Sequence, residues 1–356
     1  MTISVLRPEL ATQIAAGEVV ERPVSVVKEL VENSIDAGAS QIIVQISGGG
    51  IEQIQVTDDG MGIPSDEVAL AFKHHATSKL TTQEQLDAIA TLGFRGEALP
   101  SIVAVAGVTL TSRPQGEQAG HQIEFQLGEK IREGPQGAPP GTSITVSELF
   151  ANLPARRKFL KSNSAEAGRI HELVSRYALA YPDISFVYNS EGRTSISTPG
   201  NDRPAEALLA VYGREAAAAM LEVHSDYSET GYKIDGFISP PSLTRANRTY
   251  MSFFINRRWI QNRMLSFALE EAYHGLLQER RYPIAVINLT IPYLDVDVNY
   301  HPAKREVRFH QERTVYSTMQ RAVRAALMLD SPVPTMSSGN SFSTSAQARP
   351  GAGSGP

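Results

Sequence analysis

Residues 22–39 are RPVSVVKELVENSIDAGA, an apolar stripe and an acidic face within one segment. Val27, Leu30, Val31 and Ile35 recur at helical spacing, with Pro23 near the start and Gly38 just past the end, so a helix is predicted here. The opposite face carries Glu29, Glu32, Asn33 and Asp36. Glu29 and Asn33, four residues apart, lie one above the other on that face. A carboxylate and a carboxamide so placed can activate a water and offer an oxygen to a hard cation such as magnesium. Taken alone, the pair reads more simply as a solvated helix face.

Working outward, 41–46 and 53–57 have strand character and are joined across Gly48, Gly49 and Gly50 as in a hairpin. Further helices are expected over 66–76 and over 83–90, the latter behind the capping-box pattern Thr81 to Glu84. Strands at 107–112, 121–127 and 142–149 and a helix over 164–180 complete an α+β unit, helices on one face of a mostly antiparallel or mixed sheet. Pro and Gly between Thr198 and Pro204 mark a boundary, giving a first domain over 1–200. A smaller α+β domain over 201–330 follows, with strands near 232–238, 250–256 and 284–291 and helices near 204–211, 262–277 and 311–328. Residues 331–356 are Ser, Gly, Pro, Ala and Thr with few large apolar side chains, the composition of a flexible linker leading to more chain.

The 356 residues include no cysteine, which excludes a disulfide scaffold, a cysteine-ligated zinc finger or iron–sulfur site and thiol catalysis. No apolar run reaches membrane-spanning length and the N-terminus lacks a signal pattern, so a soluble, cytoplasmic protein with no membrane partner is expected. The net charge of −5 speaks against nucleic acid until it is divided: −8 over 1–100, −2 over 101–149 and +5 over 150–356. No Gly-Lys dipeptide occurs, so there is no P-loop, and neither a Gly-x-Gly-x-x-Gly after a strand, nor His-Glu-x-x-His, nor Gly-x-Ser-x-Gly is present.

Two glycine-marked segments remain. Thr57-Asp58-Asp59-Gly60-Met61-Gly62-Ile63 ends a strand in a tight loop where a buried carboxylate can accept from an exocyclic amine such as that of adenine. Leu92-Gly93-Phe94-Arg95-Gly96-Glu97-Ala98-Leu99 opens an apolar helical run, so its free backbone N–H groups can cradle phosphate oxygens. Lys79, in HHATSKL, lies between them in a loop able to move as a lid.

Glu-x-x-x-Asn, Asp-x-Gly-x-Gly and Gly-x-x-Gly in this order resemble the Bergerat ATP-binding fold of the GHKL ATPases. The strings QIAAGEVVERPVSVVKELVENSIDAGA, HHATSKL, LGFRGEALPSI, LFANLPARRKFL and VDVNYHPAKREVRFH, spanning Gln13 to His310, resemble the MutL family of DNA mismatch repair proteins within that group. The resemblance implies a Bergerat-type α/β sandwich followed by a ribosomal-protein-type transducer domain. It implies that Glu29 is the general base for ATP hydrolysis, that Asn33 is a ligand of Mg2+, and that Asp58 reads the adenine amine. By the same resemblance Gly62 closes the base pocket, Thr142 supports the adenine contact, and Lys79, Phe94, Arg95, Gly96 and Leu99 form the lid on the triphosphate. Pro100 stands where many relatives carry a smaller residue, which stiffens the start of the lid helix.

The resemblance further implies that Lys304 reaches from the second domain to the γ-phosphate, and that the arm Ser4 to Val20 crosses onto a second copy when ATP binds. Basic stretches at Arg156-Arg157-Lys158 with Lys161 and Arg169, at Arg257-Arg258 with Arg263, and at Lys304-Arg305 with Arg308, Arg313, Arg321 and Arg324 suggest a groove for DNA. Binding there, to single or double strands, would meet phosphates without reading bases. The implied function is an ATP-switched matchmaker that dimerises on ATP and couples mismatch recognition by MutS to a downstream nuclease or helicase. A DNA-bound scaffold with a structural nucleotide site is the alternative. A topoisomerase or histidine-kinase relative shares the ATP site but is disfavoured by the PARRKFL and HPAKREVRF strings.

Overall fold

The structure, a computed structural model, describes residues 16–17, 19–79, 91–93, 96–227, 229, 231–297 and 307–330. Helix α1 runs Pro23–Asp36 and buries Val26, Val27, Leu30 and Val31. It stops in a Schellman cap: the Gly38 N–H donates to the Ile35 carbonyl at 3.0 Å and the Ala39 N–H to that of Ser34 at 3.2 Å. The chain then enters β1 (Gln41–Ser47), a one-turn 3-10 segment over Gly48–Gly50, and β2 (Gln53–Asp58), the predicted hairpin, with Ile42 opposite Asp58.

Helix α2 is Ala98–Val103, and strands β3 (Gly107–Arg113), β4 (Gly120–Gln126), β5 (Glu129–Gln136) and β6 (Gly141–Ser147) follow. Then come α3 (Pro154–Phe159), α4 (Asn163–Ala180), β7 (Ser185–Ser190) and β8 (Arg193–Ser197). The eight strands form one sheet in the order β5-β4-β3-β6-β2-β1-β7-β8. Its one parallel pairing, β1 with β7, makes the sheet mixed. Alternation turns Ile42, Val44 and Ile46, then Ile54 and Val56, then Val108 and Leu110, into one core with Leu30 and Val31 of α1 and Ile170, Leu173 and Val174 of α4. Each such side chain contributes about 1.5–3 kcal/mol by leaving water, so the position of α1 over the sheet is firmly set.

Beyond residue 200 lie α5 (Pro204–Tyr212), α6 (Arg214–Ala219), β9 (Leu221–Tyr227), β10 (Tyr232–Ile238), β11 (Thr244–Arg245), β12 (Met251–Ile255), β13 (Arg258–Ile260), α7 (Arg263–Ala272), β14 (Tyr282–Pro283), β15 (Ala285–Thr290) and α8 (Glu312–Asp330). A second sheet, β13-β12-β15-β10-β9, packs on α7 and α8 around a separate core that includes Ile234, Leu269, Ile287 and Val323. A small apolar cluster of Leu179, Leu208, Phe254, Trp259 and Val286 joins the end of α4 to this sheet. There the Arg176 guanidinium lies 4.4 Å from the Trp259 ring centroid.

Two expected elements differ. The helix over 66–76 is instead a run of turns with a 3-10 segment at Leu70–Phe72. Its hydrogen bonds mix three- and four-residue steps, Val68 alone between 66 and 76 is buried, and His75 adopts φ 64°, so no apolar stripe holds a continuous α-helix. The helix over 262–277 ends at Ala272, because Tyr273 turns inward to donate its hydroxyl to the Ser239 carbonyl at 2.5 Å. The helix expected over 83–90 lies outside the described residues.

Candidate nucleotide site

Asp58 is the third inward residue of β2 after Ile54 and Val56, so the strand period aims its carboxylate at α1. Ser34, a polar residue on the buried face of α1, donates its hydroxyl to Asp58 Oδ2 at 2.7 Å. Oδ1 accepts the backbone N–H groups of Gly60 at 3.0 Å and Thr142 at 3.2 Å. Burial lifts the Asp58 carboxyl above its ordinary range, Asp59 nearby adds to the rise, and the three donors oppose it by favouring the anion.

The cross-strand register continues this row. Thr142 of β6 lies opposite both Asp58 and Ser112, the latter the third inward residue of β3 after Val108 and Leu110. The Ser112 and Thr142 hydroxyls are 2.8 Å apart. Ser112 Oγ also donates to the Gly141 carbonyl at 3.0 Å and accepts the Ile63 N–H at 2.8 Å. This fully buried serine therefore ties the loop after β2 to β6. Gly62 in that loop adopts φ 74°, and a Cβ there would lie 2.5 Å from the Arg113 carbonyl oxygen, so only glycine fits.

On the polar face of α1, Glu29 is half-buried and its Oε1 lies 3.2 Å from the Lys28 ammonium. Lys28 also meets Glu32 at 2.8 Å, and Glu32 accepts the Tyr177 hydroxyl at 2.7 Å. Burial lowers the Lys28 pKa, but the carboxylates of Glu32 and Glu29 outweigh it and hold it above the usual lysine value. One turn on, Asn33 Oδ1 accepts from Lys79 Nζ at 2.8 Å, and the same ammonium sits 2.6 Å from Asp36 Oδ2. Asp36 further accepts the N–H groups of Leu92 at 2.9 Å and Gly93 at 3.0 Å. The predicted glycine loop is thus docked on the end of α1, with Lys79 between them. Gly96, φ 64°, packs against the backbone of Ala76, and Leu99 of α2 packs on the first core.

The structure thus sets Glu29 and Asn33 one turn apart on α1, with Lys79 at Asn33 and with Asp58, bonded by Thr142, at Ser34 of the same helix; Gly62 lies in the loop after β2, Gly96 packs on Ala76, and Leu99 packs on the first core. Phe94, Arg95 and Lys304 lie outside the described residues, as does most of the arm. Ser34, Asp36 and Ser112 join the site through contacts that no sequence motif marks. Among the described residues no group of three or more His, Asp or Glu side chains could hold a metal. Asn33 Oδ1, however, is a hard oxygen already accepting from a cation, which fits an ion held by one protein ligand, phosphates and water.

The basic stretches are used unevenly. Arg156 donates to the carbonyls of Gly17 and, at 3.0 Å, Val20, while its guanidinium lies 5.9 Å from the Phe150 ring centroid, so it ties the base of the arm to α3. Arg257 pairs with Asp183 over the Tyr181 ring. Arg258 is buried and donates to the Thr91 carbonyl at 2.5 Å, linking the second domain to the glycine loop. Arg258 therefore offers no free charge at the surface, whereas Arg157, Lys158, Lys161, Arg169 and Arg263 are exposed.

Residues 21–150 match the model of the histidine kinase-, DNA gyrase B- and HSP90-like ATPases, and residues 208–328 that of the DNA mismatch repair protein C-terminal domain. The first part of the chain is thus a GHKL-type ATPase domain, followed by a second domain. Over 325 residues the chain is 46% identical to the DNA mismatch repair protein MutL of Symbiobacterium thermophilum, covering 91% of this chain and 51% of that protein. A crystal structure of the N-terminal domain of a DNA repair protein matches with TM-score 0.77 and 27% identity, over 90% of this chain and 98% of that one. The Aquifex aeolicus MutL ATPase domain complexed with ADP matches with TM-score 0.61 and 28% identity, over 88% and 100%. The chain belongs to the MutL family of DNA mismatch repair proteins. It spans about half the length of the curated relatives it matches. Among the described residues no helix is long and apolar enough to cross a membrane.

Proposed function

We propose that this chain binds and hydrolyses ATP with Mg2+ and uses the bound nucleotide as a switch in mismatch repair. The observation that carries the reading is the Ser34–Asp58 hydrogen bond, 2.7 Å, which fixes a base-reading carboxylate to the same helix that presents Glu29 and Asn33. Asp58 Oδ1 is filled by two amides, leaving Oδ2 with room for the adenine amine beside Ser34. Glu29 orients the attacking water and takes its proton. Asn33 holds Mg2+, which when bound neutralises phosphate charge. The N–H groups of the 92–96 loop meet the phosphates, Lys79 leaves Asn33 for them, and Lys304 meets the γ-phosphate.

In the same reading, residues 1–200 form the ATP domain and 201–330 the transducer. Closure moves the arm onto a second copy, and the exposed cations Arg157 and Arg263 contact DNA backbone of either strand form. MutS upstream and a nuclease or helicase downstream are the partners of the longer protein in the bacterial cytoplasm. The test is ATP turnover by the 356-residue chain with Mg2+ or with excess chelator, alongside sedimentation with a non-hydrolysable analogue. Metal-dependent turnover and analogue-dependent dimers are expected; turnover indifferent to chelator, or equal sedimentation in both conditions, contradicts the reading.

A further inference from the structure

We propose that Lys28, held by Glu32, which is in turn held by Tyr177, is the positioning residue for the Glu29 carboxylate. The inference rests on Glu29 being the base. Neighbours one residue apart on a helix do not face each other, so nothing in α1 alone brings Lys28 onto Glu29. The chain of contacts that does so starts on α4. The Tyr177 hydroxyl, fully buried, donates to Glu32 Oε1 at 2.7 Å; Glu32 Oε2 lies 2.8 Å from the Lys28 ammonium; and that ammonium stands 3.2 Å from Glu29 Oε1. Side-chain exposure rises along the chain, 7% at Glu32, 10% at Lys28 and 26% at Glu29, so the last member alone opens toward the site.

The unequal distances matter. Glu32, the closer and more buried carboxylate, takes the larger share of the Lys28 charge, which leaves Glu29 oriented without being neutralised. Tyr177 completes Glu32 on its other oxygen and so keeps Lys28 where it is. A purely structural ion pair between Lys28 and Glu32 would need neither the third contact nor Glu29 at its rim, and could be replaced by apolar or neutral groups at little cost.

The replacement is the experiment. Steady-state ATPase kinetics, nucleotide binding and thermal melts are compared for the 356-residue chain, Tyr177→Phe, and the double variant Lys28→Met/Glu32→Gln, which removes both buried charges together. The double variant is expected to melt near the parent temperature and to bind ATP with KM within about twofold. Its kcat is expected to fall about tenfold or more, part of the ~10²-fold that a general base contributes. Tyr177→Phe, which removes one buried hydroxyl bonded to Glu32, should lower kcat about threefold with KM unchanged. A double variant that recovers both stability and kcat, or a Tyr177→Phe chain with parental kcat, overturns the proposal. Absence of turnover in the parent chain instead overturns the ATPase reading itself.

Discussion

Replacing Asp58 by asparagine separates base recognition from folding more cleanly than any other change at this site. With its oxygen in the place of Oδ1, the carboxamide keeps the N–H bonds from Gly60, 3.0 Å, and Thr142, 3.2 Å. Its NH2 then stands where Oδ2 accepted from Ser34. The Ser34 hydroxyl already lies 3.2 Å from the Leu30 carbonyl, so it can donate there and accept from the new NH2. The cost to the free protein is therefore below about 1 kcal/mol. Toward adenine, by contrast, an ionised acceptor becomes a donor facing the amine. Losing a charge-assisted hydrogen bond costs roughly 1.5–3 kcal/mol, or about 10- to 150-fold in Kd. Inosine triphosphate carries an oxygen in place of that amine, so it should bind Asp58→Asn better than it binds the parent chain. Calorimetric titration with both nucleotides reads the exchange. ATP affinity left unchanged, or equal loss of both nucleotides in a variant that melts normally, refutes the reasoning. The sign of the pH dependence follows from the raised Asp58 pKa. Folding favours the protonated carboxyl relative to the unfolded chain, a stabilisation present below the unfolded value and lost as pH rises through the folded one. In the proposed reading nucleotide binding needs the anion, so affinity should fall on acidification at a pH above the ordinary aspartate range, and Asp58→Asn should flatten that dependence.

Three further outcomes can be stated. Gly62→Ala forces a Cβ against the Arg113 carbonyl at a positive φ, so melts should show a loss of about 1–3 kcal/mol and titrations weakened ATP binding. Arg156→Ala frees the carbonyls of Gly17 and Val20, so proteolysis near residue 20 should quicken and analogue-dependent dimerisation weaken in sedimentation, while DNA affinity changes little. Arg157→Glu and Arg263→Glu, at exposed positions, should each weaken DNA binding and lower the slope of log affinity against log salt by about one to two, read by fluorescence anisotropy across a salt series.

The hairpin, α1 and the polar row Glu29–Asn33 were legible because strong periodicity coincides with cap and turn residues there. Two of the site residues that were not legible share one feature: each is polar on a phase that the pattern reserves for apolar side chains. Ser34 falls in the apolar stripe of α1 between Val31 and Asp36, and Ser112 follows Val108 and Leu110 on the inward phase of β3. A serine in such a phase signals a buried hydroxyl with a fixed partner. Asp36 stands in the last turn of α1, where the helix dipole disfavours an acid. Its compensation, the Lys79 ammonium and two loop amides, comes from residues more than 40 positions away that no local pattern reveals. β5, EKIREGPQ, escaped notice because as a largely exposed edge strand it needs no apolar alternation. Arg156 and Arg258 read as surface charge in the sequence, whereas in the fold their guanidinium groups donate to carbonyl oxygens.

In the proposed function Glu29 on α1 is the base of an ATPase whose binding site is set independently by Asp58 and the glycine loop. Parallel measurement of ATP turnover and ATP binding by the 356-residue chain and its Glu29→Ala variant tests it most directly. The account predicts turnover in the parent, a loss of about 10²-fold or more in kcat in the variant, and ATP affinity retained within a few fold. Turnover that survives in Glu29→Ala, or a parent chain that binds ATP without hydrolysing it, contradicts it.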